Sequence, residues 1–180
     1  MRLKGWLNMA NTYTLISSNT LGSSATSVTF SSIPSTYTDL VVRISARSDD
    51  AGNIGSLQLS VNGTSAGHSS TDINGYNATA SSSRRSATTR LWFENAIDAG
   101  SMTANTFSSV EIYIPSYLSS TNKPMSGDYG AENNSSSIWL RGATAGLWSN
   151  TSTITSLTFY QQGFNFVSGS SFYLYGVKNS

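Results

Sequence analysis

Chemistry in this chain would have to start from very few residues. His68 is the only histidine, so a nucleophile–histidine–acid triad would be built around it. It stands in the stretch NGTSAGHSSTD, whose flanks do not resemble the strand–turn–helix elbow that presents a nucleophile. We therefore expect a loop histidine rather than a catalytic base. Nine carboxylates are scattered along the chain. Asp49 and Asp50 with Asn53 offer oxygen ligands of the kind calcium takes, but SDDAGN lacks the regular loop spacing and the downstream glutamate. Asp, Asn and Gly together read better as a turn between strands. Paired carboxylates of the glycosidase kind leave no signature in so dispersed a set. Cysteine is absent, which excludes disulfides, thiolate metal sites and a cysteine nucleophile. The expectation is a non-enzymatic protein with no catalytic residues, no bound metal and no cofactor.

The remaining side chains with binding potential are cationic and aromatic. Ten Lys and Arg are balanced by nine carboxylates, for a net charge of +1. Only Arg84, Arg85 and Arg90 cluster, and we read them as a solvated loop. A phosphate-binding surface needs a dense basic stripe, so no nucleic-acid partner is expected. The aromatics carry more information. Tyr113, Tyr160, Tyr173 and Tyr175 alternate with apolar residues and lie opposite the apolar stripes. Outward tyrosines suit a subunit interface, cross-strand support of a sheet, or stacking on sugars. Trp139 and Trp148 bracket a Gly-rich turn, and Tyr76 anchors a polar stretch. These three are the candidate glycan contacts.

The elements that must position these residues are β-strands. Period-2 alternation is clear in Leu40-Val41-Val42-Arg43-Ile44-Ser45-Ala46-Arg47. It recurs at Leu57, Leu59 and Val61, before the Asn62-Gly63 turn, and at Val110, Ile112 and Ile114, before Pro115. Leu157 with Phe159, and Phe172 with Leu174 and Gly176, complete the strong runs. Weaker strands are expected at residues 12–17, 27–33, 89–93, 125–131 and 137–141, with a short one at 145–148. Strands of this length separated by Gly, Ser, Asn and Pro argue for an all-β, antiparallel two-sheet β-sandwich of about 8–10 strands, in jelly-roll order. Residues 63–88 hold little apolar content. They form either a short strand near residues 70–76 or a segment packed on a neighbouring molecule, since a long structureless loop is uncommon. Residues 94–106 have room for one helical turn.

Composition sets the frame. Ser (36) and Thr (20) make up 56 of 180 residues, while only 11% are charged, against about 25% in ordinary domains. Near-zero net charge and an 11% aromatic share argue for a packed core rather than disorder. No run of ~18 apolar residues exists to cross a membrane as a helix, so no membrane partner is expected. The start MRLKGWL has charge but no apolar run behind it, which argues against a signal peptide. Met9 opens MANTYTLIS, which reads like a natural protein start. Asn-X-Ser/Thr matches are expected by chance in so Ser- and Thr-rich a chain and carry no glycosylation claim. The expected organisation is an N-terminal arm over residues 1–14 and a single β-sandwich domain over residues 15–180.

MANTYTLISSNTLGSSATSVTFSSIPSTYTDLVVRISARSD, EIYIPSY, AGLWSNTSTITSLTF and SSFYLYGVKNS together resemble a family of small jelly-roll virion structural proteins of tailed phages, notably of cyanobacteria. The resemblance covers nearly all of residues 9–180 and is weakest over 62–90. It implies a capsid decoration, or cement, protein on the outer surface of the head. Its partners would be the major capsid protein and further copies of itself, as a homotrimer. Trp6 and Leu7 are the expected anchors of the arm, with Tyr113, Tyr160, Tyr173 and Tyr175 as the candidate interface. The alternative is a tail-fibre or baseplate module that binds host-surface glycans through Tyr76, Trp139 or Trp148.

Overall fold

The computed structural model describes residues 12–52, 54–135 and 138–178. They form twelve strands: β1 (Tyr13–Thr20), β2 (Ser27–Phe30), β3 (Asp39–Ala46), β4 (Ile54–Val61), β5 (His68–Tyr76), β6 (Thr79–Thr88), β7 (Leu91–Asp98), β8 (Ser108–Ile114), β9 (Lys123–Ala131), β10 (Leu140–Trp148), β11 (Leu157–Gln161) and β12 (Ser171–Val177). An eight-stranded sheet has the order β1-β12-β3-β8-β9-β10-β5-β6 and a four-stranded sheet has the order β2-β11-β4-β7. All the paired strands run antiparallel. The protein is an all-β, two-sheet sandwich, as the alternation predicts.

Pairing is nested. β1 pairs with β12, β2 with β11, β3 with β8 and β4 with β7. Two hairpins, β5–β6 and β9–β10, extend the larger sheet beyond this nest. The described chain thus holds twelve strands rather than the expected 8–10. The excess comes from residues 63–88, which contain two strands and not one. They escape the apolar pattern because β5 turns His68, Ser70, Asp72 and Asn74 inward, and β6 is exposed along most of its length. The two short strands expected at 137–141 and 145–148 are one continuous strand, β10.

The core lies between the sheets. Leu40, Val42 and Ile44 of β3, Val110, Ile112 and Ile114 of β8, and Phe172 and Leu174 of β12 face Val28, Phe30, Leu57, Leu59, Val61, Leu91, Phe93, Leu157 and Phe159 of the smaller sheet. Phe159 and Phe166 contact Phe172 with ring centroids 6.0 and 5.0 Å apart. Burying each such side chain stabilises the fold by roughly 1.5–3 kcal/mol. Gly142 admits the cross-strand Tyr129 ring and Gly127 admits Phe93; a Cβ at either position would enter the ring.

Polar residues also close the interior. β4 is buried on both faces, so Gln58 and Ser60 are covered rather than wet. In place of a helical turn over 94–106, β7 runs on to Asp98, and the following loop gathers round the Arg47 guanidinium. That group donates to the carbonyls of Gly100, Met102, Thr103 and Thr106 at 2.8–3.1 Å. Asp49 and Asp50 lie in the connection after β3, where the Asp50 carboxylate accepts from the Gly52 N–H at 2.8 Å. Asp49 accepts from the backbone N–H and side-chain amide of Asn165, which holds its carboxyl below the usual range. Tyr13 and Thr14 belong to β1, opposite Val177 and Gly176, so the domain begins inside the expected arm.

Candidate interaction face on the eight-stranded sheet

The outer face of the larger sheet is built row by row from strand register. One row carries Ser18, Tyr173, Arg43 and Glu111, then Asp128, Ala143, Ile73 and Ser82. The adjacent row carries Leu15, Tyr175, Val41 and Tyr113, then Ser126, Ala145, Thr71 and Arg84. The β1–β12–β3–β8 end is therefore aromatic, and the β9–β10–β5–β6 end is lined by small residues around Ile73, which is 61% exposed. Shallow depressions run across the face. One borders Ile73, Ala80, Ser82, Asp128 and Arg141; the next shares Ile73 and Asp128 and reaches Glu111 and Tyr113. A third continues from Glu111 to Tyr173 and Tyr175.

The tyrosines at one end support each other. Tyr13 and Tyr175 meet edge to face at 6.3 Å. The Arg43 guanidinium lies 5.6 Å from the Tyr13 ring centre and 5.8 Å from that of Tyr175, and Arg43 Nε donates to Glu111 at 2.8 Å. Tyr113 donates its hydroxyl to Asp39 at 2.8 Å, and that hydrogen bond is the main cause of its raised phenol pKa. Glu111 and Asp128 stand directly opposite each other, which alone would be unfavourable. Arg43 on one side and Arg141 on the other neutralise them. These pairs are exposed, so each contributes at most ~1 kcal/mol to stability. Their effect is to leave this row electrically self-satisfied.

Of the residues expected from sequence, Tyr113, Tyr173 and Tyr175 converge here. Tyr160 does not: it lies on the smaller sheet beneath Arg90, whose guanidinium is 3.6 Å from its ring centre. Arg85 likewise covers Trp92 at 4.1 Å and pairs with Glu94, so the expected solvated arginine loop is partly folded onto the protein. Trp139 is 40% exposed and borders a depression with Phe107, Glu132 and Arg141. Trp148, expected as a glycan contact, is corrected: at 1% exposure it is a core residue at the end of β10. Tyr76 is half-buried against the core. Trp6 and Leu7 lie outside the described residues. Sequence reasoning missed Tyr13, Arg43, Glu111, Asp128, Arg141 and Ile73. The alternation of β3 and β8 already placed Arg43 and Glu111 on the outward face, which was the usable signal.

His68 requires a second correction. It is no loop residue but opens β5, fully buried, with Ser70 and Asp72 next along the same inward face. Such a His, Ser and Asp set has the residue types of a hydrolytic triad. However, both His68 ring nitrogens and Ser70 Oγ lack hydrogen-bond partners, so no base–nucleophile contact is formed. Burial lowers the His68 pKa and raises that of Asp72. Asp72 Oδ1 accepts from the Thr144 hydroxyl and the Glu94 backbone N–H. The arrangement is a buried polar seam between β5, β7 and β10. Among the described residues, no group of three or more acidic or histidine side chains gathers to hold a metal.

The class that fold and face define is a two-layer antiparallel β-sandwich with a broad outer sheet whose central charges are paired. No protein family, no curated protein and no solved structure matches the chain.

Proposed function

We propose that this chain is a non-enzymatic structural protein of a tailed-phage virion, a decoration protein that binds the outer surface of the head and stabilises it. The observation that carries this reading is the outer face of the eight-stranded sheet. It offers small and uncharged polar residues, a tyrosine cluster at one end, and central charges paired as Arg43–Glu111 and Arg141–Asp128, with Arg84 at the β6 rim. Such a surface can be buried against other proteins without stranding unpaired ions, whose desolvation is costly. Aromatic residues are enriched in protein interfaces, and the four charges at the centre of this face are paired with one another. Nested pairing of β1 with β12, β2 with β11, β3 with β8 and β4 with β7 supports the jelly-roll order that the resemblance implies. The burial of His68 supports a non-enzymatic role. The partners are the major capsid protein and, by the resemblance, two further copies in a trimer. No cofactor enters the reading.

The test is quantitative mass spectrometry of purified virions from the genome that encodes the chain. A decoration protein is expected at hundreds of copies per particle. A few to tens of copies would place it on the tail, and absence from the particle would overturn the virion reading altogether. One observation favours the tail alternative: Trp139 is exposed beside Arg141 and Glu132, a stacking platform with polar groups at hand for a sugar. Glycan-array binding that disappears in Trp139→Ala would select that alternative.

A further inference from the structure

We propose that β6 is a pairing edge for a second copy of this chain, joined antiparallel across a twofold axis with Ser82 or Ser83 on the axis. The inference is independent of the virion reading. β6 spans ten residues and is bonded through β5 on one side. Among the described residues no strand pairs with its other side, and every residue from 79 to 84 is exposed. Unpaired edges are ordinarily blunted by short length, charged side chains, proline, bulges or covering elements, and on β6 the charges, Arg84 and Arg85, stand in its C-terminal half. The edge strand β2 has only four residues, and β1 bulges between Leu15 and Ser17 near its middle. β6 has no proline, and its one register shift lies at the far end, where His68 and Ser70 face Thr88 and Arg85. Residues 79–85 remain a regular, open edge.

The sequence of that edge suits its own copy. A twofold axis relating identical antiparallel strands must place some residue opposite itself. An axis between residues would exchange a hydrogen-bonded pair for a non-hydrogen-bonded one. The regular stretch is Thr79-Ala80-Ser81-Ser82-Ser83-Arg84-Arg85. With Ser82 on the axis, Ser81 faces Ser83, Ala80 faces Arg84 and Thr79 faces Arg85. With Ser83 on the axis, Ser82 faces Arg84 and Ser81 faces Arg85. Neither register sets arginine against arginine, and Arg85 is already neutralised by Glu94. Facing serines are small and hydrogen-bond each other across strands.

Closure also favours this occupant. An isologous β6 pair uses the β6 edge of both copies and stops at two, whereas pairing β6 with the β1 edge of a neighbour leaves a free β6 edge at one end of the assembly and a free β1 edge at the other, and so propagates. The contact is distinct from the threefold association that the resemblance implies.

Because the chain contains no cysteine, single cysteines report the contact cleanly. Sedimentation velocity of the full chain is expected to show a concentration-dependent dimer. Ser82→Arg sets arginine against arginine in either register, and is expected to weaken association roughly tenfold with an unchanged circular-dichroism spectrum and melting temperature. Under mild oxidation, Ser82→Cys or Ser83→Cys is expected to form an interchain disulfide, while Ser18→Cys on the opposite edge does not. A chain that stays monomeric, an oligomer indifferent to Ser82→Arg, or cross-linking at Ser18→Cys in place of β6 overturns the proposal.

Discussion

His68 and Asp72 point inward on the same strand, two positions on either side of Ser70, and burial acts on them in opposite directions. The folded-state pKa of His68 is depressed, so its contribution to stability is present above the ordinary imidazole pKa near 6.5 and is lost as pH falls below it. Urea midpoints are expected to drop between about pH 7.5 and about pH 5, and to drop less over that interval in His68→Leu. An equal drop in the variant would place the acid sensitivity elsewhere. Asp72 has a raised pKa, so its contribution is fully present below the ordinary carboxylate range and is lost as pH rises through the folded value. Asp72→Asn keeps the acceptor used by Thr144 and Glu94 but removes the buried charge. It is expected to be more stable than the wild type at neutral pH, with the gap closing towards about pH 4. Equal midpoints at neutral pH would refute this. At this scale the site was half legible. Alternation places Tyr113, Tyr173 and Tyr175 outward, but nothing local to Tyr160 reveals that Arg90 lies over it.

Among the elements, β10 shows how the fold hides from its sequence. Its inward positions are Leu140, Gly142, Thr144, Gly146 and Trp148, a mixture with no apolar rhythm, because large side chains from elsewhere fill the glycine positions. Trp148 then reads as the end of a short strand flanking a Gly-rich turn, although it is the last inward position of a nine-residue strand. β5 is silent for a related reason, since its inward face is a polar seam. By contrast β3, β8 and β12 bury Leu, Ile, Val and Phe at every second position, and their alternation was plain. Two expected outcomes follow from this packing. Trp148→Ala should cost ~3–5 kcal/mol in urea unfolding, as a large buried aromatic lost from the core, while Trp139→Ala should stay within about 0.5 kcal/mol. Equal effects would mean that the two tryptophans are not core and surface as described. Gly142→Val should destabilise by roughly 1–3 kcal/mol through overpacking against Tyr129, and Gly142→Val combined with Tyr129→Leu should recover part of that loss.

For the whole molecule, the abundance of Ser and Thr beside little charge acquires a location. Part of that polarity lies on the outer face of the eight-stranded sheet and along the edges β1 and β6, and part lies inside, at Ser56, Ser60, Ser70 and Thr144. The outer face of the eight-stranded sheet is a broad surface on the side away from the four-stranded sheet, and it is the face proposed for assembly. The most direct test is a cryo-EM reconstruction of the virion at a resolution that traces this chain. The chain is expected on the head, with Tyr13, Tyr113 and Tyr175 buried against a neighbouring protein and the Arg43–Glu111 and Arg141–Asp128 pairs inside the contact. A chain on the particle with that face open to solvent, attached through the smaller sheet, would contradict it.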